Sequence, residues 1–181
     1  MSVEDSVARP VVPVSEAIIL RVVAAFAAAF VLFGFLVDSP AEILRGLLAI
    51  CMSRDTLLTD YFGIGGIGAG CVNAGLLALC ACLVYQRSGA KMGGAAVACL
   101  FLVLGFGLFG KNLLNIWFIV IGVALYARFR REPFATHINT AFFGAALAPI
   151  FSEILFSTSL PLTTSLPLAV FILTGFMRSI P

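Results

Sequence analysis

Apolar segments separated by short polar connections make up most of the chain. They cover residues 17–37, 61–85, 93–129, 138–156 and 165–178. A transmembrane helix needs about 20 apolar residues, because it rises about 1.5 Å per residue across a hydrocarbon core of about 30 Å. The pattern therefore predicts an all-α protein, a polytopic bundle of transmembrane helices. The central segment is too long for a single straight crossing.

This central segment contains a run of glycines followed by a lysine and two asparagines, between Gly105 and Asn115. Glycine permits a sharp turn, and a lysine or an amide is costly in lipid unless it faces protein or water. We therefore predict a hairpin that reverses at residues 110–112, just below the membrane surface. Its two arms are predicted at 93–110 and 112–127.

The span predicted at 61–85 carries a stripe of small residues. Gly66, Gly70 and Ala74 recur every four residues, a spacing that lets another helix approach closely. Five glycines fall in the first ten residues, so we expect irregular first turns that line a cavity, because glycine weakens a helix. Asn73, beside the stripe, either bonds to a neighbouring helix or lines that cavity.

A short amphipathic helix is predicted at 40–52, ahead of this span. Ser39 can cap the helix, and Pro40 suits its first turn. About 13 residues are too few to cross a bilayer. The pattern leaves open whether the helix lies in the outer interface or re-enters the membrane. Its predicted apolar face consists of Ile43, Leu47 and Ile50.

The span predicted at 138–156 follows His137, which we interpret as an interfacial residue. Pro149 lies inside this span and has no N–H to donate, so the carbonyl of Ala145 loses its helical partner. We therefore predict a kink. A last span is predicted at 165–178.

Composition agrees with a membrane protein and excludes several other classes. Hydrophobic residues make up 61% of the chain and charged residues only 11%, and the mean hydropathy is +1.12. A soluble surface needs more charge than this. A net charge of +2 gives no reason to expect nucleic acid as a partner. Five cysteines without a CxxC motif predict packing thiols, and we expect no metal and no cofactor.

The distribution of Lys and Arg sets the predicted topology, since cytoplasmic loops are enriched in these residues. The best fit has about six spans, glycine-broken or re-entrant segments and both termini in the cytoplasm. Residues 1–15 are then a flexible cytoplasmic tail, and 16–181 form one transmembrane domain. The inside set is Arg9, Arg21, Arg87, Lys91, Arg128, Arg130, Arg131 and Arg178, and the outside set is Arg45, Arg54 and Lys111.

In this topology three charged residues fall at the same membrane level: Asp60, Lys111 and Glu153. A buried ammonium is costly unless a carboxylate lies close to it. We predict that Lys111 pairs with Asp60 or Glu153, with Glu153 favoured because the kink at Pro149 can turn it inward. The alternative is that each charge extends separately to the outer headgroups.

Three stretches carry a resemblance to a known family. Leu58 to Ala69, Gly105 to Asn115 and Ala148 to Glu153 resemble the bacterial multi-pass membrane family called domain of unknown function 1576. The resemblance implies a chain about twice this length with two related halves, of which this chain is the first. It also implies a bacterial cytoplasmic (inner) membrane as the location, but no activity and no functional residues.

A weaker similarity is to urea transporters, whose pores are lined by a glycine-rich turn between repeated halves. Residues 107–112 are similar to that turn, with Lys111 at a position where an aromatic residue is expected. A lysine there suits an anionic or hydrogen-bonding solute.

Two functions from different classes fit these observations. The first is a channel or transporter for a small polar solute, whose path is lined by Asn73, Lys111, Asn112 and Asn115. The second is a non-transporting structural or assembly subunit, in which the same polar groups hold helices together. An enzyme is not expected, because HExxH, GxSxG and a paired acid and histidine are all missing from the sequence. The small-residue stripe leads us to expect a homo-oligomer or a companion half.

Overall fold

The computed structural model describes residues 15–56 and 58–157, and this part of the chain is helical without any strand. The predicted last span at 165–178, and the tail up to residue 14, lie outside the described residues. The helices are α1 (Glu16–Val37), α2 (Pro40–Met52), α3 (Tyr61–Gly65), α4 (Ile67–Ser88), α5 (Gly94–Phe106), α6 (Ile116–Arg130), α7 (Phe134–Gly144) and α8 (Ala148–Ser157), with a 3-10 turn at Ala145–Leu147 between the last two.

Three helical units in the described residues are long and apolar enough to cross a membrane. They are Glu16–Val37, Ile67–Ser88 and Phe134–Phe156, the last of which includes the 3-10 turn. The helix α5 is apolar but shorter, with 13 residues. This part of the chain is therefore that of a helical membrane protein, with three such units where the sequence pattern predicts six spans over the whole chain.

The helices α1 and α4 run antiparallel and pack at very short range. A Cβ atom added to Gly34 of α1 would lie 2.6 Å from the carbonyl oxygen of Gly68, and one added to Gly75 would lie 2.5 Å from that of Ala27. No side chain larger than hydrogen fits at either position. The two backbones are therefore in direct contact at the Gly34–Gly68 end of the pair and again near its middle.

The N-cap predicted at Ser39 is present at the start of α2, where Ser39 and Glu42 form a capping box. The Ser39 hydroxyl accepts from the N–H of Glu42 at 3.4 Å, and the Glu42 carboxylate accepts from the N–H of Ser39 at 2.9 Å. The buried face differs by one position from the prediction, because Gly46 lies on it and Leu47 is only half-buried. A Cβ at Gly46 would collide with the carbonyl of Gly65, so this face is set by contact with α3.

The irregular start predicted for the second span is confirmed. Gly66 has φ +89° and separates α3 from α4, a conformation that L side chains rarely adopt. The helix α4 then continues to Ser88, three residues beyond the predicted end, and stops at Gly89 with φ +69°.

The central segment forms the predicted hairpin, since α5 and α6 are joined by a reversal at residues 107–115, here called the tip loop. Its arms are shorter than predicted, because the tip loop contains nine residues where the pattern suggested three. Both arms contact α7. With 13 and 15 residues, they reach about 20 and 22 Å.

The kink predicted in the fifth span is confirmed as a short 3-10 turn. The carbonyl of Ala145, which Pro149 leaves without its helical donor, accepts instead from the N–H of Ala148. The predicted start at residue 138 is wrong. The helix begins at Phe134 because Pro133 acts as its N-cap, so His137 lies in the first turn.

The connections of the bundle separate by charge into two ends. At one end the close of α4 meets the start of α7, where the Tyr85 hydroxyl donates to Asn139 at 2.7 Å and the Tyr85 ring stacks on Phe142. This basic end carries Arg87, Lys91, Arg128, Arg130 and Arg131. The opposite, acidic end carries Asp38, Glu42, Asp55, Asp60 and Glu153 together with Arg45 and Arg54.

Candidate functional site

The tip loop reverses the chain by local backbone geometry. Gly110 has φ +106°, and the N–H of Lys111 donates to the carbonyl of Phe106 at 3.0 Å. Gly107 touches α4, because a Cβ added there would lie 2.6 Å from the Cα of Ala74. The loop is therefore in backbone contact with the middle of the bundle, on the side facing the acidic end.

Asn73 of α4 holds the tip loop through three hydrogen bonds. Its amide donates to the carbonyls of Gly107 at 2.6 Å and Lys111 at 2.8 Å, and its oxygen accepts from the N–H of Leu113 at 3.2 Å. The side chain is fully buried. Of the two roles that the sequence left open, hydrogen bonding is observed, and its partner is the backbone of a loop.

Asn112 and Asn115 bond to each other within the loop and are both fully buried. The N–H of Asn112 donates to the side-chain oxygen of Asn115 at 2.9 Å. The side-chain oxygen of Asn112 accepts from the N–H groups of Leu114 at 2.9 Å and Asn115 at 2.8 Å. These bonds replace the regular helical ladder, which explains why α6 begins only at Ile116.

Asp55, which the sequence analysis did not single out, lies directly over the tip loop and is fully buried. One carboxylate oxygen accepts from the Tyr61 hydroxyl at 3.0 Å and from the amides of Asn112 at 2.9 Å and Asn115 at 3.1 Å. The other accepts from the Ser53 hydroxyl at 3.1 Å. Burial raises the pKa of Asp55, although these hydrogen bonds oppose the rise.

The helix α8 reaches the same cluster through Ser152. Its hydroxyl accepts from the amide of Asn115 at 3.0 Å and is buried. Asp55, the tip loop and α8 therefore meet at one polar cluster, here called the tip cluster. It consists of Asp55, Tyr61, Asn73, Asn112, Asn115 and Ser152.

Lys111 differs from all of these residues because its charged group lacks a hydrogen bond. The side chain is 1% exposed, and Nζ finds no hydrogen-bond partner among the described residues. It lies 4.9 Å from the centroid of the Phe106 ring. A desolvated cation–π contact contributes about 2 kcal/mol or more. Burying an unpaired ion costs several kcal/mol, so the Phe106 ring offsets only part of the cost of a charge on Lys111.

The predicted ion pair of Lys111 with Asp60 or Glu153 does not form. Glu153 binds Arg54, with 2.8 Å from Nε to Oε2 and 2.6 Å from Nη2 to Oε1, and Asp60 caps α3 by accepting from the N–H of Gly63 at 3.0 Å. Both carboxylates lie toward the surface of the acidic end. The Lys111 side chain instead extends over Phe106, into the bundle.

The small-residue stripe packs within the chain. Gly66 faces the Asp38 carboxylate, Gly70 lies under the Phe62 ring, and Ala74 touches Gly107. The contacts between α1 and α4 use other glycines, as described above. The stripe is therefore packed against other parts of the described chain, and the expectation of a homo-oligomer or a companion half stays a prediction.

Groups of histidine, cysteine and carboxylate side chains suited to a metal ion are not found in residues 15–56 and 58–157. All five cysteines are free; Cys71, Cys82 and Cys99 are buried, and Cys51 and Cys80 are half-buried.

Comparison with known proteins identifies a family and no activity. No curated protein and no solved structure matches the chain. A family model described as "Protein of unknown function (DUF1576)" matches residues 39–180, a range that contains every residue of the tip cluster and Lys111. Because this match covers most of the sequence, the chain belongs to the DUF1576 family.

Proposed function

We propose that this protein is a channel or transporter for a small polar solute and that Lys111 binds the solute. The observation that carries the proposal is the buried Lys111 ammonium, which has no hydrogen-bond partner in the described part of the chain. An ionisable group inside a membrane bundle is costly and is typical of a solute or ion pathway. A bound solute would supply the missing interaction.

Interrupted helices in the described residues support the same proposal. Three interruptions of helical structure occur in the described spans: Gly66, the tip loop and the 3-10 turn at Ala145–Leu147. Irregular backbone at membrane depth is tolerated where it is buried in protein or lines water. Transporters build their sites from such broken helices.

The depth of the tip loop also fits a transport site. Asn73, which holds the loop, comes six residues after the start of α4, or about 9 Å along the helix axis. The arms of about 20 and 22 Å are shorter than a hydrocarbon core of about 30 Å. The proposed arrangement has six spans in a bacterial cytoplasmic membrane, with the basic end and both termini toward the cytoplasm.

The hydrogen bonds narrow the proposed path to one residue. The amides of Asn73, Asn112 and Asn115 all bond to protein groups, so they build the loop. Lys111 alone keeps an unused charge. An ammonium attracts anions and hydrogen-bond acceptors, so we propose a small anion or a neutral acceptor as the solute.

The alternative is a structural or assembly subunit that transports nothing. It is favoured by the same satisfied amides, because side chains that only hold helices together need no contact with a solute. In that case the Lys111 ammonium would be retained for packing against Phe106.

Flux in proteoliposomes tests the proposal. Purified protein would be reconstituted, and uptake of labelled formate, acetate, nitrate, phosphate and urea would be measured at neutral pH. We expect uptake of at least one solute, and we expect Lys111→Met to reduce it at least tenfold. Lys91→Met is the matched control, because Lys91 is exposed at the basic end.

Both variants would be checked for helix content by circular dichroism. Folded protein that moves none of these solutes would favour the structural subunit. Uptake that is unchanged in Lys111→Met would remove Lys111 from the path while leaving transport standing.

A further inference from the structure

A surface depression lies at the basic end, where α6 passes into α7. It has a volume of about 530 Å³. Its lining consists of Ala124, Ala127, Arg128, Arg131, Glu132, Pro133 and Phe134. The depression is far along α6 from the tip cluster and shares no residue with it.

Some charged groups in and beside this depression have ionic partners, and others do not. Glu132 pairs with His137, with 2.6 Å between Nε2 and Oε2, so the prediction from the sequence that a paired acid and histidine is missing is wrong. Glu132 also lies near Arg130, with 3.5 Å between Nε and Oε1. Arg128 and Arg131 are exposed, and neither is paired with a carboxylate in the described residues. The depression therefore presents two free guanidinium groups beside an acid that already has its partners.

The end of α6 brings these two arginines together. Arg131 has φ +59° and closes the helix, with its N–H donating to the carbonyl of Arg128 at 3.1 Å. Both arginines line the same depression, Arg128 from the last turn of α6 and Arg131 from the residue that ends it. Guanidinium groups bind phosphate oxygens in pairs of hydrogen bonds, so two of them suit a phosphate ester.

The surface next to the depression suits an acyl chain. Ile121 and Leu125 of α6 are 54% and 62% exposed. They precede Arg128 by seven and three residues, so all three lie on one face of the helix. Two exposed apolar side chains of α6 therefore lie on the same helix face as Arg128.

We infer that this depression binds the phosphate headgroup of an anionic phospholipid, with Arg128 and Arg131 as its ligands and an acyl chain along Ile121 and Leu125. Charge complementarity commits the site to an anionic lipid. The adjoining apolar face favours a lipid over a free phosphate ester. The inference does not depend on transport.

Thermal unfolding in a neutral detergent tests this inference with phosphatidylglycerol, phosphatidylcholine or glycerol phosphate added. Phosphatidylglycerol should raise the Tm of the full chain by several degrees, as expected for a ligand that binds only the folded state. Phosphatidylcholine and glycerol phosphate should leave the Tm unchanged. An equal rise with glycerol phosphate would overturn the choice of a lipid.

The double variant Arg128→Gln with Arg131→Gln should lose the response to phosphatidylglycerol. The control is Arg87→Gln with Lys91→Gln, which removes the same charge from the same end outside the depression and should keep the response. Loss in both double variants would mean general attraction to basic residues and would overturn the site.

A second variant tests the site without removing any charge. Ala124→Phe keeps both arginines but fills the wall of the depression, and it should also weaken the response. An unchanged response in a folded Ala124→Phe protein would show that the lipid binds elsewhere.

Discussion

The carboxylate of Asp55 connects parts of the chain that are distant in sequence. Its partners Asn112 and Asn115 are 57 and 60 residues away, and Tyr61 lies in the next helix. Three donors therefore converge on one buried oxygen. A buried donor that loses its acceptor lowers the free energy of unfolding by about 1–3 kcal/mol.

Removing this acceptor should destabilise the protein strongly. We expect Asp55→Ala to lower the free energy of unfolding by about 3 kcal/mol or more, because the Tyr61 hydroxyl and two amides lose their acceptor. Asp55→Asn keeps an oxygen at the same place and should cost less than about 1 kcal/mol. Unfolding in mild detergent, followed by circular dichroism, measures both. Equal losses would show that the cluster requires the negative charge itself.

The same residue predicts a dependence on pH. Because burial raises the pKa of Asp55, the folded protein holds this proton more tightly than the unfolded chain does. The resulting stability is fully present below the ordinary aspartate pKa of about 4. It is lost as pH rises through the folded-state pKa. The stability of wild type relative to Asp55→Asn should therefore decrease as pH rises above about 4. A constant difference would contradict this prediction.

Residue type predicted some of these positions and not others. Asn73, Lys111, Asn112 and Asn115 stand out because polar side chains inside apolar segments are rare in membrane proteins. Asp55 lies in a polar connection, where a carboxylate is ordinary, and only the folding of the tip loop beneath it makes it buried. The sequence was also unable to predict the ion pairs, because pairing depends on which side of a turn each charged side chain faces.

Within the helices, Gly→Ala substitutions should distinguish glycines that allow close approach of two helices from glycines that only weaken a helix. Gly75→Ala should destabilise the protein, because the added methyl group would lie 2.5 Å from the carbonyl oxygen of Ala27. Gly105→Ala on α5 meets no atom within 4 Å and should stabilise its helix by up to about 1 kcal/mol. Thermal unfolding of the two variants compares them. Similar effects of the two changes would contradict the close contact of α1 with α4.

The tip loop should depend on α4 for its order. Asn73→Leu removes three hydrogen bonds to the loop backbone while keeping a side chain of similar size. We expect faster hydrogen–deuterium exchange at residues 107–115, with little change in α1, which serves as the internal reference. Unchanged exchange in the loop would mean that its own asparagine bonds suffice to hold it.

Breaks in the helices were easier to predict than their ends. Gly66 and Pro149 act through their own backbone chemistry, so the interruptions near them follow from residue type. The length of the tip loop does not follow from residue type, because Asn112 and Asn115 extend the loop by hydrogen-bonding to neighbouring N–H groups. The start of α7 was not predictable from residue type either, because a proline such as Pro133 can precede a helix or belong to a loop.

For the whole molecule, the separation of basic and acidic ends predicts an orientation. In a background without native cysteines, new cysteines at positions 87 and 130 should both be shielded from membrane-impermeant reagents in intact cells. A cysteine at position 56, in an exposed part of the acidic end, should react. Labelling of positions 87 and 130 from opposite sides would contradict the hairpin topology.

The hydrogen bonds of the tip loop have a consequence for how the protein is made. Synthesis proceeds from the N-terminus, and most contacts of the loop outside its own hairpin come from residues translated earlier: Asp55, Tyr61 and Asn73. Two short arms joined by a loop with a lysine and two asparagines are poorly suited to enter lipid alone. The first four helices can therefore act as a template that receives the hairpin during membrane insertion. Ser152 joins the loop only after α8 is translated.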